Sequence, residues 1–364
     1  MKAKKIVAVG ISGGVDSAMA ALLLKQQGYE VIGLTMAIWD DSIPIANVAK
    51  KGCFGPGEIE NLKAAEELCH KLGIEHHIIR LKDEYRENVL SYFCSTYSLG
   101  KTPNPCIVCN QRIKFGLLPI KAKEAGINFD YFATGHYAHI SYNDMIGRYQ
   151  LRKAKDSGKD QSYFLAYLKQ EQLSNLIFPL GGKTKQEIKA LAEESGFAEL
   201  ASKQESQDFL ATDDVSVLFD KDTLQEGEIV DIDGKVLGKH KGIINFTIGQ
   251  RRNLGINGTP EPYYVIDIDS KTHRVTVGTK QYLFKSNCIA SDINWLSVSE
   301  IHVPFAAQAR IRLQHQPAAC IVTPLANGNL QVVFTEPQLS ITPGQGIVFY
   351  DGDLIVSGGI IDTA

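Results

Sequence analysis

IVAVGISGGVDSAMAALLL, residues 6–24, decides the fold. Its opening is a short apolar run ending at Gly10, a strand signal. Residues 17–27 follow as an apolar-rich helix. Between them stands Ser12-Gly13-Gly14-Val15-Asp16-Ser17. Paired glycines let the backbone turn tightly and approach a ligand. The helix start behind them offers free N–H groups and a positive dipole, which favour an anionic phosphate. Ser12 and Ser17 bring hydroxyls. Asp16 brings a carboxylate, which with phosphates makes the usual Mg²⁺ ligand set. The pattern is neither G-x-x-x-x-G-K-[ST] nor G-x-G-x-x-G. A bare glycine pair also suits a plain connection capped by Ser12 or Asp16. Lys2, Lys4 and Lys5 precede the apolar run as in a secretory leader. Gly13, Gly14 and Asp16 interrupt it without a clean cleavage site, so it reads as the first strand of a folded domain.

Outward from this loop, strand and helix signals alternate. Val31 to Met36 reads as a strand. Glu58 to Leu72 places Ile59, Leu62, Ala65, Leu68, Cys69 and Leu72 on one helical face, and Gly73 stops it. HHIIRL is the next strand, helices follow at 83–97 and 112–125, and FDYFATG is another strand. Thr184 and Glu187 make a capping-box pattern for a helix stopping near Gly196. Such alternation predicts an α/β domain whose parallel sheet is covered on both faces. After about residue 205 the texture changes. EIVDIDGKVLGKH, VIDIDSKTHRVTVG and AACIVTPLANGNLQVVFTEP read as hairpins, with Asp233-Gly234 and Asn327-Gly328 as turn pairs. The expected organisation is an α/β domain over 1–205, a small central domain over 206–280 and a C-terminal β barrel over 281–364.

The 364 residues are 44% hydrophobic with a net charge of −3. No apolar run approaches the roughly 20 residues of a membrane span. Residues 1–205 carry a net +3 and residues 206–364 a net −6, so a polyanionic partner would lean on the first part or on local patches. The seven cysteines are odd in number, which disfavours a disulfide framework and suits a reducing, cytoplasmic location.

Thr102-Pro103-Asn104-Pro105-Cys106-Ile107-Val108-Cys109-Asn110 is the second signal. Its prolines predict an extended segment. A C-x-x-C pair can be redox-active, bind metal or carry a nucleophilic thiolate. Arg112 and Lys114 are expected to lower a thiolate pKa. No second C-x-x-C completes a zinc site. Cys69, Cys288 and Cys320 read as buried core residues.

SGGVDS resembles the PP-loop of the ATP pyrophosphatases, which cleave ATP between its α and β phosphates. With TPNPCIVCNQRIKFG, FATGHYA, GKDQSYFL, FTIGQRRNLGI and TPGQGIVFYDGD, the chain resembles the tRNA-specific 2-thiouridylases over nearly its whole length. The resemblance implies an adenine nucleotide hydrolase-like first domain. It implies ATP-dependent 2-thiolation of the wobble uridine (position 34) in the tRNA anticodon stem-loop. ATP with Mg²⁺ adenylates the base O2, and sulfur from a cysteine persulfide replaces it, supplied by a persulfide donor or sulfur-relay protein. On this likeness Gly10, Ile11, Ser12, Gly13, Gly14, Val15, Asp16, Ser17, Met36 and Gly135 hold ATP. Asn104, Pro105 and Cys106 face the target base, and Cys109 is the nucleophile. His136, Lys159, Asp160, Gln161, Arg312, Leu313 and Gln345 are tRNA positions. Read alone, His136 also suits a core, Lys153, Lys155 and Lys159 a solvated face, and Gln345 a turn.

The chain departs from this family at Leu210, where most members carry a second cysteine that is loaded first with the persulfide. Cys106 conversely stands where many have Asp. Three solutions are open. Cys106 and Cys109 act as the pair, which is preferred. A non-local cysteine, Cys53 or Cys94, enters the site. Or Cys106, Cys109 and a third cysteine hold a 4Fe–4S cluster. The rival functions are another PP-loop ligase acting on tRNA or a small molecule, and a tRNA-binding homologue without sulfur transfer.

Overall fold

In the computed structural model, which describes residues 4–45, 52–202, 208–220, 224–256, 258 and 261–364, the opening stretch is β1 (Ile6–Gly10) and α1 (Val15–Gln26). β2 (Glu30–Ala37), β3 (Gly52–Phe54), α2 (Glu58–Leu72), β4 (Glu75–Arg80) and β5 (Tyr131–Ala133) follow. Then come β6 (His139–Asn143), β7 (Arg148–Arg152), β8 (Leu176–Ile177) and β9 (Asp208–Leu210). Five strands form a parallel sheet in the order β4-β2-β1-β5-β8. β1 thus lies between β2 on one side and β5 on the other. A doubly wound sheet binds ligands in the crevice beyond the strand ends where the winding reverses. Here that crevice lies between the loops after β1 and β5. Val7, Ala8 and Val9 are buried because both faces of β1 are covered.

Local signals set most boundaries. α2 spans the expected residues and stops at Gly73, whose φ of 60° suits glycine. The capping box at Thr184 and Glu187 forms, with Glu187 N donating to Thr184 Oγ1 at 3.2 Å. The segment after Pro103 differs from the expectation. It is extended only to Asn104, and a helix begins at Pro105 rather than near 112. Proline at the first helical position needs no N–H partner, and Asn104 Oδ1 caps the turn by accepting from Ile107 N at 3.3 Å.

β10 (Gly227–Val230), β11 (Val236–His240), β12 (Tyr264–Asp269) and β13 (Arg274–Gly278) form a second sheet in the order β11-β10-β13-β12. β14 (Phe284–Trp295), β15 (Phe305–Arg310), β16 (Ala318–Pro324), β17 (Leu330–Leu339), β18 (Gly346–Asp351) and β19 (Leu354–Thr363) form the third. Pairing of β14 with β19 closes these six strands into an antiparallel barrel. Cys288 and Cys320 lie in its core, and Cys69 lies under the first sheet. The β6–β7 hairpin joins the barrel sheet through Arg152 opposite Leu354. Among the described residues no helix is long and apolar enough to cross a membrane.

Candidate active site

The phosphate loop is preformed. Gly13 has φ 74°, and a Cβ there would stand 3.1 Å from Ala64 Cβ of α2. Neither Ser12 nor Asp16 caps α1; Gly14 occupies the cap position with no side-chain bond to the first turn. The helix start is therefore open to an anion. Ser17 is buried and its Oγ donates to Gly14 O at 3.0 Å, which fixes the turn, while Ser12 is exposed. Gly135, after β5, closes on the same loop: a Cβ there would lie 2.6 Å from Asp16 C and 2.8 Å from its O. Met36 is half-buried at the end of β2.

Asp16 has partners that the sequence did not announce. Lys185 Nζ lies 2.7 and 2.8 Å from its two carboxylate oxygens, and Tyr137 OH donates to Oδ1 at 2.8 Å. Lys185 opens the helix Lys185–Glu194, so the capping box at Thr184 aims an ammonium at the phosphate loop.

Cys106 and Cys109 sit one helical turn apart, both half-buried. The sequence expectation of lowered thiol pKa values is overturned. Burial pushes Cys109 up to about 11 against the opposing pull of Lys114, and pushes Cys106 up to about 12. Desolvation outweighs one cation because it penalises the thiolate from every side. Alkylation of Cys109 by iodoacetamide should consequently rise about tenfold per pH unit from pH 7 and level off only near 11. Peptide mapping of the labelling rate reads this, and a plateau below pH 9 contradicts it.

From Cys109 to Leu117 the helix widens into π-type turns. Pro119, just beyond, has no N–H to give to the carbonyl of Phe115. Gln172 Nε2 fills that gap, donating to Phe115 O at 2.9 Å and Gln111 O at 2.8 Å. Gln172→Ala should cost about 1–3 kcal/mol of folding stability in urea titration by orphaning those carbonyls. An unchanged midpoint contradicts it.

The barrel holds the other end of this segment. Gln345 Nε2 donates to Thr102 O and Pro103 O at 3.1 and 2.9 Å, and Thr102 N donates to Pro343 O at 2.8 Å. Tyr163 OH donates to Gly346 O at 3.0 Å and meets Asn104 Nδ2 at 3.4 Å. Asn104 is buried by these contacts. His136 lies between Phe115 and Phe178, with Nδ1 2.5 Å from Thr134 Oγ1. Burial, helped by Lys114, holds its pKa well below the usual range, so it is neutral at pH 7. Lys114 thus acts on His136 beside the phosphate loop and on Cys109.

The remaining sequence candidates divide by their partners. Asp160 is buried, accepting from Ala154 N, Ser162 N and Ser162 Oγ, and pairing with Arg310 at 3.4 Å. Gln161 Oε1 accepts from Tyr137 N at 2.9 Å. Arg312 donates to Leu339 O at 2.9 Å. Lys159 is half-buried and Leu313 is exposed. Arg251 and Arg252 are exposed on the central sheet's flank. The Glu205-Ser206-Gln207 part of the departing segment lies outside the described residues, while Leu210 is buried in β9. Among the described residues no group of three or more His, Cys, Asp or Glu is arranged to hold a metal ion.

An uncapped glycine turn at the crevice of a doubly wound sheet, with the Lys185 ammonium beside it, defines an α/β protein built to take an anionic ligand at that turn. Residues 5–211 match the family model described as tRNA methyl transferase HUP domain. Residues 217–279 match the tRNA methyl transferase PRC-barrel domain and 285–361 the aminomethyltransferase beta-barrel domain. The tRNA-specific 2-thiouridylase MnmA of Endomicrobium trichonymphae is 44% identical over 363 residues, covering 99% of this chain and 100% of its own. That of Acetivibrio thermocellus is 42% identical, covering 98% and 99%. The tRNA-specific 2-thiouridylase MnmA 2 of Thermoanaerobacter pseudethanolicus is 43% identical, covering 100% and 99%. The chain belongs to the tRNA-specific 2-thiouridylase family.

Proposed function

We propose that this chain converts the wobble uridine of tRNA to 2-thiouridine, using ATP to activate the base oxygen and a cysteine persulfide to replace it. The observation that carries the reading is that Phe115, in the turns that Cys109 opens, packs 5.3 Å from the ring of His136, the residue after Gly135 on the phosphate loop. Activation and sulfur delivery then share one site. The chemistry requires both halves. A uridine carbonyl oxygen is a poor leaving group. Attack of O2 on the α-phosphorus of ATP expels pyrophosphate and turns that oxygen into part of AMP. The terminal sulfur of a persulfide then attacks C2, and AMP leaves. Methyl transfer, which two domain descriptions name, needs neither ATP cleavage nor thiols.

In this reading Gly10 to Ser17, Met36 and Gly135 hold ATP, and Lys185 faces its phosphates. Asp16 is the one carboxylate in the loop, and as polyphosphate draws Lys185 away it would hold Mg²⁺, which supplies charge neutralisation for the leaving pyrophosphate. The target base flips out of the anticodon stack to reach Pro105 and Cys106. Asn104, Asp160, Gln161 and Gln345 serve by fixing the loops around it. Arg251, Arg252 and Lys159 suit phosphate contacts, with Leu313 and Arg312 at the barrel rim. A reducing cytoplasm suits the free thiols.

The test is nucleoside mass analysis of tRNA incubated with the chain, ATP, Mg²⁺ and a persulfide donor. The expected product is 2-thiouridine, dependent on ATP. No sulfur incorporation with any donor overturns the reading.

A further inference from the structure

A second sulfur-handling thiol is needed if the reading above holds, because Leu210 can neither carry sulfur nor form a disulfide. β3 runs parallel to β9, with Gly52 opposite Asp208 and Phe54 opposite Leu210. The contact is close: a Cβ on Gly52 would lie 2.4 Å from Leu210 C, and one on Gly55 2.4 Å from Ala211 Cβ. Cys53 therefore sits one strand away, on the order of 5 Å in backbone, from the segment where most family members place their loaded cysteine. Phe54 and Leu210 turn inward into the core on which Cys109 packs, Phe54 stacking on Tyr85 at 5.5 Å. Cys53 is the one exposed cysteine of the seven. It stands within electrostatic reach of both Cys106 and Cys109.

We infer that Cys53 is the second working thiol of this site, loading sulfur from outside and closing a disulfide with Cys109. The Cys53 thiolate attacks the sulfane sulfur of a persulfide donor, the donor S–S bond breaks, and the donor leaves as a thiol. The terminal sulfur of the Cys53 persulfide attacks C2 of the adenylated uridine, the C2–O bond breaks, and AMP leaves. The base is then joined to Cys53 through two sulfurs. The Cys109 thiolate attacks Cys53 Sγ, and the bond electrons leave with the base as 2-thiouridine. A Cys53–Cys109 disulfide remains, and an external dithiol reduces it while being oxidised itself. Exposure suits Cys53 for loading by a macromolecular donor. The half-buried, protonated Cys106 and Cys109 do not offer that access.

The test has two arms on the full chain. In the first, wild-type protein is treated with glutathione persulfide without tRNA, alkylated rapidly and mapped. After one turnover without reductant, disulfides are mapped too. An extra sulfur on the Cys53 peptide and a Cys53–Cys109 link are expected. Sulfur confined to Cys106 or Cys109, or a Cys106–Cys109 link with Cys53 free, overturns the inference. In the second, Cys53→Ser, with its melting temperature checked, should make at least 100-fold less 2-thiouridine per turnover. Product within tenfold of wild type overturns the inference alone. Absence of 2-thiouridine from the wild type overturns the underlying reading and the inference with it.

Discussion

Cys109→Ser abolishes 2-thiouridine formation, by at least about 10³-fold, while tRNA-dependent pyrophosphate release continues. A serine hydroxyl neither stores sulfane sulfur nor opens an S–S bond, so the sulfur step has no substitute nucleophile. The activation step keeps its groups: the uncapped start of α1, Lys185 and Gly135 all lie on the phosphate side. Cys109 packs at the edge of the main core, so the smaller, more polar serine costs about 1 kcal/mol of stability, too little to unfold the domain. Parallel assays of pyrophosphate and of tRNA nucleosides read the split. Full 2-thiouridine formation by Cys109→Ser would remove Cys109 from the sulfur step. Loss of pyrophosphate release together with product would instead put Cys109 in the activation step.

What was legible in the sequence was written in local chemistry. Gly73, the Thr184–Glu187 box and the Asn327-Gly328 pair act within a few residues, and each boundary formed as read. Cys69, Cys288 and Cys320, lone cysteines outside any motif, lie buried as read. The misreadings came from effects that a linear pattern does not carry. Lys114 does pull on Cys109, but burial by residues far apart in sequence decides the sign. The prolines at 103 and 105 suggested extension, yet a cap at Asn104 converts the second into a helix start. The β6–β7 hairpin completes a sheet whose other strands begin only at Phe284, with Leu354 opposite Arg152. Lys185, 169 residues from Asp16, carries no motif of its own.

Lys185→Met lowers kcat/KM for ATP in pyrophosphate release by about 10²–10³, or roughly 3–4 kcal/mol of transition-state stabilisation. The side chain is nearly buried, with its ammonium between both oxygens of Asp16 and 5.8 Å from the centre of the Tyr137 ring. A polyphosphate entering at the start of α1 presents more negative charge than one carboxylate, so the ammonium turns toward it. Methionine keeps the length of the stem and removes that charge. It also leaves Asp16 without its cation, facing incoming phosphates with like charge. Two effects therefore add in the single variant, and a second substitution separates them. Asp16→Asn combined with Lys185→Met removes the repulsion and should recover about tenfold of the loss, not all of it. Stability is a separate readout. Asp16 is a quarter exposed, so losing its partner costs about 1–2 kcal/mol after allowing for solvent screening. Initial rates across an ATP titration, with urea unfolding of each variant, read both quantities. If Lys185→Met unfolds more easily but keeps kcat/KM within threefold, Lys185 only braces the loop.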